Sequence, residues 1–279
     1  PVEIPARAED GFWASLDAIA EAARGARLLC MNTPLNPVGS MMSPDYARAI
    51  GRLVLEENHR RRGSGERPLI LLVDQLYWSL SFARPHVTPV HEVREVAPWT
   101  VLVDGITKMF AATGLRVGWA VAQPALIAAM STYLGHIGGA APTAEQAAAA
   151  AVLGDPPSFE ASVTPVRQGI WTRLQTLARG VERLRAEGLP IDQIEPEGSM
   201  YLAMRLDLFG RAWGGETIRT NEAIRRFALE EAGVSMLPFQ AFDHREESGW
   251  FRLAVGSASV PAIEEGLSRL GAALRRVCA

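Results

Sequence analysis

The sequence is poor in cysteine. Cys30 lies in an apolar stretch and Cys278 next to the end. Neither has the spacing of a metal site, and two lone thiols suit a reducing compartment rather than a disulfide scaffold. No excess of one charge is present: the formal net charge is −3 and the pI near 6.0. That balance gives no electrostatic footprint for nucleic acid or an anionic membrane. No apolar run approaches membrane-spanning length, and no signal peptide opens the chain. There is no initiator Met; the sequence opens at Pro1 in an extended-looking "PVEIP". The one basic cluster, His59–Arg67, ends a helical pattern and runs into Gly-Ser-Gly, which reads as a solvated turn.

Apolar residues make up 48% of the 279, enough to bury a large core in one domain or two unequal ones. The first half alternates short apolar strands with helical patterns. Strands are expected at Arg27–Met31, Leu69–Val73, Val101–Val103 and Val117–Val121, all but the first read as buried. Ser43-Pro44-Asp45 reads as an N-cap followed by a first-turn proline, opening a helix to about Arg61. Pro124 opens another helix, and Thr143 is expected to cap an alanine-rich one. This alternation implies a mainly parallel sheet sandwiched by helices, with ligands at the carboxyl ends of its strands. A long helical pattern from Pro157 to about Glu187 is expected to bend near Pro165. Beyond Gly188, strands in "GSMYLAMRLDL" and "GWFRLAVGSA" flank a helix at Thr220–Ala232, and a last helix covers Pro261–Val277. The expected division is an α/β large domain (1–156), an interdomain helix (157–187) and a smaller α+β domain (188–279).

Several polar residues sit where strands end. Asp74 follows "LILLV" directly, and a carboxylate there is either paired or functional. Tyr77 comes three residues later. Asn36-Pro37 lies in "TPLNPVG", a proline-stiffened loop and a candidate cis bond. Lys108 and Arg116 lie in "VDGITKMFAATGLRVGW", between two apolar runs, where charge calls for a partner. Arg252 interrupts the apolar "FRLAV". Each alone has a plain structural reading: Asp74 as a cap, Lys108 as a surface residue, Arg116 at a turn, Arg252 paired to a carboxylate. Trp78 and Trp119 read as core or wall, and His136 as a packing residue.

Taken in order, "NTPLNPVG", "VDQLYW", "GITKMFAATGLRVGW", "PEGSMYLAMRL" and "FRLAVGS" resemble the fold-type-I pyridoxal-phosphate enzymes, specifically the class I/II aminotransferases. The resemblance covers essentially the whole chain and implies pyridoxal 5′-phosphate as cofactor. By it, Lys108 forms the Schiff base with the cofactor aldehyde and later shuttles a proton. Asp74 pairs with the pyridine nitrogen, so that the ring can act as an electron sink. Tyr77 and Asn36 hydrogen-bond the ring's phenolic oxygen. Thr107 and Arg116 hold the phosphate, and Arg252 clamps the substrate α-carboxylate. The implied reaction moves an α-amino group between an amino acid and a 2-oxo acid. A homodimer in the cytoplasm is implied, without nucleic acid, membrane or metal. A lyase, decarboxylase or cyclopropane-forming synthase on the same fold, or a non-catalytic fragment, would carry much the same residues.

Three positions depart from the pattern. Gly105 replaces a frequent Ser, Val38 replaces the Thr of "NPTG", and Phe239 replaces the Gly of a "PG" turn, where it is expected to reshape the pocket mouth. The resemblance also leads one to expect a segment ahead of Pro1, carrying a phosphate loop and an aromatic to stack on the ring.

Overall fold

The computed structural model describes residues 1–279. The chain forms two units: residues 1–35 with 41–167, and residues 36–40 with 168–279. This differs from the division expected from sequence. The loop 36–40 belongs to the second unit, and the long helix is divided between Arg167 and Gln168.

In the first unit, α1 (Leu16–Ala23) precedes β1 (Leu28–Asn32), α2 (Pro44–Ser64) and β2 (Ile70–Asp74). A short α3 (Pro89–Glu92) leads to β3 (Thr100–Gly105), α4 (Ile106–Met109) and β4 (Gly118–Val121). Then come α5 (Pro124–Ile137), α6 (Thr143–Leu153) and the start of α7 (Pro156–Ala186). The sheet order is β1-β2-β3-β4. The first three strands are parallel, with Leu29 opposite Leu71 and Leu72 opposite Val101. Ser43 caps α2 by accepting the Tyr46 amide hydrogen bond, with Pro44 as first residue, as its sequence implies. Ile19, Ala23, Ile50 and Val54 of α1 and α2 bury Leu71 and Val73 on one face of β2.

Several sequence expectations are corrected here. β4 is antiparallel to β3 and lies at the sheet edge, with Val121 58% exposed, so it is not a buried strand. Thr143 is the first residue of α6 rather than its cap; Pro142 holds the cap position and makes no side-chain bond. His136 is exposed on α5, a helix without any buried residue, so it packs against no core. The basic cluster is not all solvated. Arg61 is 3% exposed, ion-paired to Glu57 and donating to the carbonyls of Ala23, Ala26 and Arg67. The reach of its long fork back to the end of α1 is not visible in local spacing.

The second unit receives the end of α7, which keeps Pro165 inside the helical span, upstream of the division. It continues with β5 (Ile191–Gln193), β6 (Tyr201–Leu206), the small hairpin β7 (Ala212–Trp213) and β8 (Glu216–Thr217), and α8 (Asn221–Ala232). β9 (Leu237–Pro238), β10 (Trp250–Ala254) and α9 (Val260–Cys278) complete it. β5-β6-β10-β9 form an antiparallel sheet. Thr220 caps α8 and Ser259 caps α9. Phe239 is 2% exposed and packs its ring against Phe242, His244 and Trp250. It is a core residue of this unit, and the expectation that it forms a pocket mouth is not met.

Candidate active site

The carboxyl ends of β2 and β3 carry the candidate residues of the first unit. Asp74 is the last residue of β2, opposite Asn32 of β1 and Val103 of β3. Its Oδ1 accepts the Leu76 amide hydrogen bond at 3.0 Å, a local turn that fixes the carboxylate just beyond the strand. The same turn brings Tyr77 back into the unit, where it is 5% exposed.

Lys108 enters from the neighbouring strand. β3 ends at Gly105 and passes without a loop into α4, a single turn containing Thr107 and Lys108, both half-buried. The corner is tight. A Cβ on Gly105 would stand 2.8 Å from the Val117 carbonyl oxygen and 3.1 Å from Gly118 Cα. That close approach explains why the serine of the family pattern is a glycine here. Ile106 and Val117 form a small apolar cluster with Ala149, which holds α4 from below. The result places Lys108 Nζ 5.8 Å from the centre of the Tyr77 ring. Lys108 is also the only lysine in the chain; every other side-chain cation apart from histidine is an arginine. That count was open to sequence reasoning and is its clearest missed signal.

Arg116 lies at the same end of the sheet, two residues before Gly118, which pairs with Gly105. It is exposed rather than held between buried strands, and its Nη1 donates to the Thr113 carbonyl at 3.1 Å. Its φ of 56° is in the left-handed region, unusual for a residue with a side chain. Strained backbone of this kind concentrates at functional sites.

The second unit holds the other two residues together. Arg252 Nη1 donates to Asn36 Oδ1 at 2.9 Å. The Arg252 guanidinium also lies 4.5 Å from the Tyr201 ring centre and 4.9 Å from that of Phe242. Rings against the guanidinium restrict it while its in-plane N–H groups remain suited to a planar carboxylate. Asn36 is brought there by its loop. Val38 O accepts the Ala203 amide of β6, and Gly39 O accepts those of Glu197 and Gly198. Gly39 has φ +92°, and a Cβ on it would stand 2.5 Å from the Tyr201 carbonyl oxygen. The asparagine therefore partners Arg252 directly, a role the sequence reading did not assign. The peptide bonds before Pro34 and Pro37 are both cis.

One buried acid was also missed. Asp104, next to last in β3, is 5% exposed, and burial raises its carboxyl to about 6, against the opposing Gly105 amide. It lines a polar cavity of about 770 Å³ with His86, His91, Glu160, Arg84 and Arg167. Burial likewise pushes the His86 imidazole down to about 4. Trp78, stacked on Phe159, lines the same cavity, and Trp119 packs beside the small cluster under α4, both as wall residues.

A model of the family described as aminotransferase class I and II matches residues 1–270. The chain belongs to this family. Among curated aminotransferases it is 29% identical to an aspartate aminotransferase of Streptomyces avermitilis over 276 residues, covering 97% of this chain and 62% of that protein. It is 26% identical to an asparagine–oxo-acid transaminase of Streptococcus mutans, covering 99% and 65% respectively. In structure it is similar to the aspartate aminotransferase from Rhizobium meliloti, with TM-score 0.87, 25% identity, and coverage of 99% and 65%. It is also similar to the aromatic aminotransferase from Pyrococcus horikoshii, with TM-score 0.82, 26% identity, and coverage of 99% and 67%. The chain thus spans about two thirds of the length of the curated aminotransferases it matches, and its fold is that of the PLP-transferases.

Proposed function

We propose that the protein is a pyridoxal 5′-phosphate-dependent aminotransferase that moves an α-amino group between an amino acid and a 2-oxo acid. The observation that carries this reading is the meeting of the only lysine with Tyr77, at strand ends that also bear Asp74. The donor set matches the cofactor group for group: an amine for the aldehyde, a carboxylate for the pyridine nitrogen, a phenol for the ring oxygen, and a hydroxyl with a guanidinium for the phosphate. When bound, the cofactor supplies an aldehyde that takes up the amino group and a ring that withdraws electrons from the substrate. Lys108 anchors it and moves the proton at the substrate Cα. Asp74 keeps the pyridine nitrogen protonated, and Tyr77 donates to the phenolic oxygen. Thr107 and Arg116 hold the phosphate. In the second unit Arg252, oriented by Asn36, takes the α-carboxylate. As the family resemblance implies, the working form is a homodimer in the cytoplasm; the free thiols of Cys30 and Cys278 agree with a reducing compartment. No group of three or more His, Cys, Asp or Glu side chains is placed to hold a metal ion, and no helix is long and apolar enough to cross a membrane.

The test is a visible spectrum of the chain with added cofactor, then borohydride reduction, peptide mapping and a panel of amino donors. Aspartate and asparagine come first, since they figure in the relatives' names. The expected result is a cofactor band, label on Lys108, loss of both in Lys108→Ala, and a 2-oxo acid formed as the band converts to that of the aminated cofactor. No band sinks the reading for this chain. Oxo acid appearing with ammonia, without conversion of the band, replaces it with a lyase.

A further inference from the structure

We infer that Asp104 is a positioning residue for Lys108, acting through the backbone of the β3–α4 corner. The inference rests on the proposed role of Lys108. The lysine is placed by a single helical turn whose N-cap, Gly105, has no side chain to cap it. A side chain there would come at a cost, because the Val117 carbonyl and Gly118 Cα stand where it would begin. The preceding residue does the work instead. Asp104 Oδ1 accepts the Gly105 N–H at 2.7 Å, in a position where both residues are buried. That bond fixes the peptide from which α4 starts, with Val117 O accepting the Ile106 amide at 3.2 Å on the next residue. Lys108 is two residues further on. A rotation of the corner peptide swings the lysine away from Tyr77, while the apolar cluster of Ile106, Val117 and Ala149 holds the rest of the turn.

A carboxylate costs more to bury than a neutral side chain. Its presence at 5% exposure therefore calls for a role; Trp78 and Gln75 also donate toward the carboxylate, and the Gly105 amide at 2.7 Å is the partner that ties it to the corner. Asn would keep the acceptor oxygen in the same shape; Ala would remove it. These two variants separate the positioning role from general stability.

The experiment uses the 279-residue chain with Asp104→Asn and Asp104→Ala. One readout is amide hydrogen exchange at Gly105 without cofactor. The second is the concentration of pyridoxal phosphate needed for half-maximal borohydride labelling of Lys108. Expected for Asn is slow exchange and labelling within about twofold of native, since a neutral acceptor replaces a charged one. Expected for Ala is at least about tenfold faster exchange and at least about tenfold weaker labelling, with native circular dichroism, because misplacement of a reacting group by a fraction of an ångström is costly. Ala behaving as native in both readouts overturns the inference. So does a folded Asn variant that loses labelling as badly as Ala, and this arm decides the matter if Ala does not fold. If the native chain takes up no cofactor, the function reading fails, and the exchange contrast alone still decides whether Asp104 holds the corner.

Discussion

Asp104 and His86 line the same cavity and titrate in overlapping windows with opposite signs, which makes a sharp prediction for stability against pH. Asp104 is raised from 3.8 to about 6. Between those values the folded chain binds the proton and the unfolded chain does not, so its contribution is full below 3.8 and is lost as pH rises through 6. His86 is lowered from 6.5 to about 4, mainly by burial, with His91 adding and the Thr33 carbonyl opposing. Its contribution is full above 6.5 and is lost as pH falls through 4. Each shift is worth at most about 3–3.5 kcal/mol across its window, at roughly 1.4 kcal/mol per pH unit. Glu57 and Glu66, both lowered to about 2, add their own dependence only below their ordinary value of 4.5. Between pH 4.5 and 6 the two cavity groups should therefore oppose each other and leave the native chain nearly flat. The assay is urea unfolding at intervals across that range without cofactor. Asp104→Asn should unmask the histidine: stability should rise with pH, gaining about 2 kcal/mol relative to native from 4.5 to 6. His86→Gln should unmask the acid and fall by a similar amount. Parallel curves for native and Asp104→Asn would refute the claim that Asp104 titrates within this window, and with it the account of its burial.

Two further substitutions probe the scaffold. Arg61→Ala should destabilise the first unit by about 2–4 kcal/mol, because it leaves the carbonyls of Ala23, Ala26 and Arg67 without their donor, while Glu57 keeps Arg60; urea midpoints measure this, and a loss under 1 kcal/mol would mean water replaces the guanidinium. Gly105→Ser, which restores the residue common in the family pattern, should cost about 1–3 kcal/mol and weaken labelling of Lys108, since its Cβ meets backbone at 2.8 Å; an unchanged midpoint and unchanged labelling would show that β4 gives way.

Much of the fold was legible because its signals are local. Ser43-Pro44 opens α2, Thr220 opens α8, and the apolar run ending at Asp74 is a parallel strand. What escaped depends on distant partners. The loop 36–40 follows the first strand in sequence but accepts hydrogen bonds from Ala203 of β6 and from Glu197 and Gly198 ahead of it, so it belongs to the other unit. Arg61 looks like one of a solvated row until the end of α1 and the turn after it bring the Ala23 and Ala26 carbonyls to it. Phe239 departs from a turn pattern, yet three rings from its own unit enclose it. The site divides in the same way. The resemblance offers Asp74, Tyr77, Thr107, Lys108 and Arg116 as an ordered set of candidates, whereas the bond of Asn36 to Arg252 and the rings of Tyr201 and Phe242 beside it join residues far apart in sequence.

The residue count sharpens the chemistry further. Arginine serves at exposed ion pairs such as Arg60–Glu66 and Arg226–Glu230 and at the buried contact of Arg61, and apart from Lys108 no lysine is used as a cation. Arginine is always charged and its delocalised guanidinium is a poor nucleophile toward an aldehyde, whereas a lysine amine can lose its proton and bond to carbon. The one position where lysine appears is the one where the proposed reaction requires a primary amine. The corner that carries it is built with equal economy. A glycine admits the neighbouring strand, and an aspartate beside it supplies the hydrogen-bond acceptor that the glycine lacks. If Lys108 were only a surface cation, arginine would serve there as elsewhere, and a folded Lys108→Arg variant would keep the cofactor band. Loss of the band in a variant of unchanged charge and stability would trace the function to the amine itself.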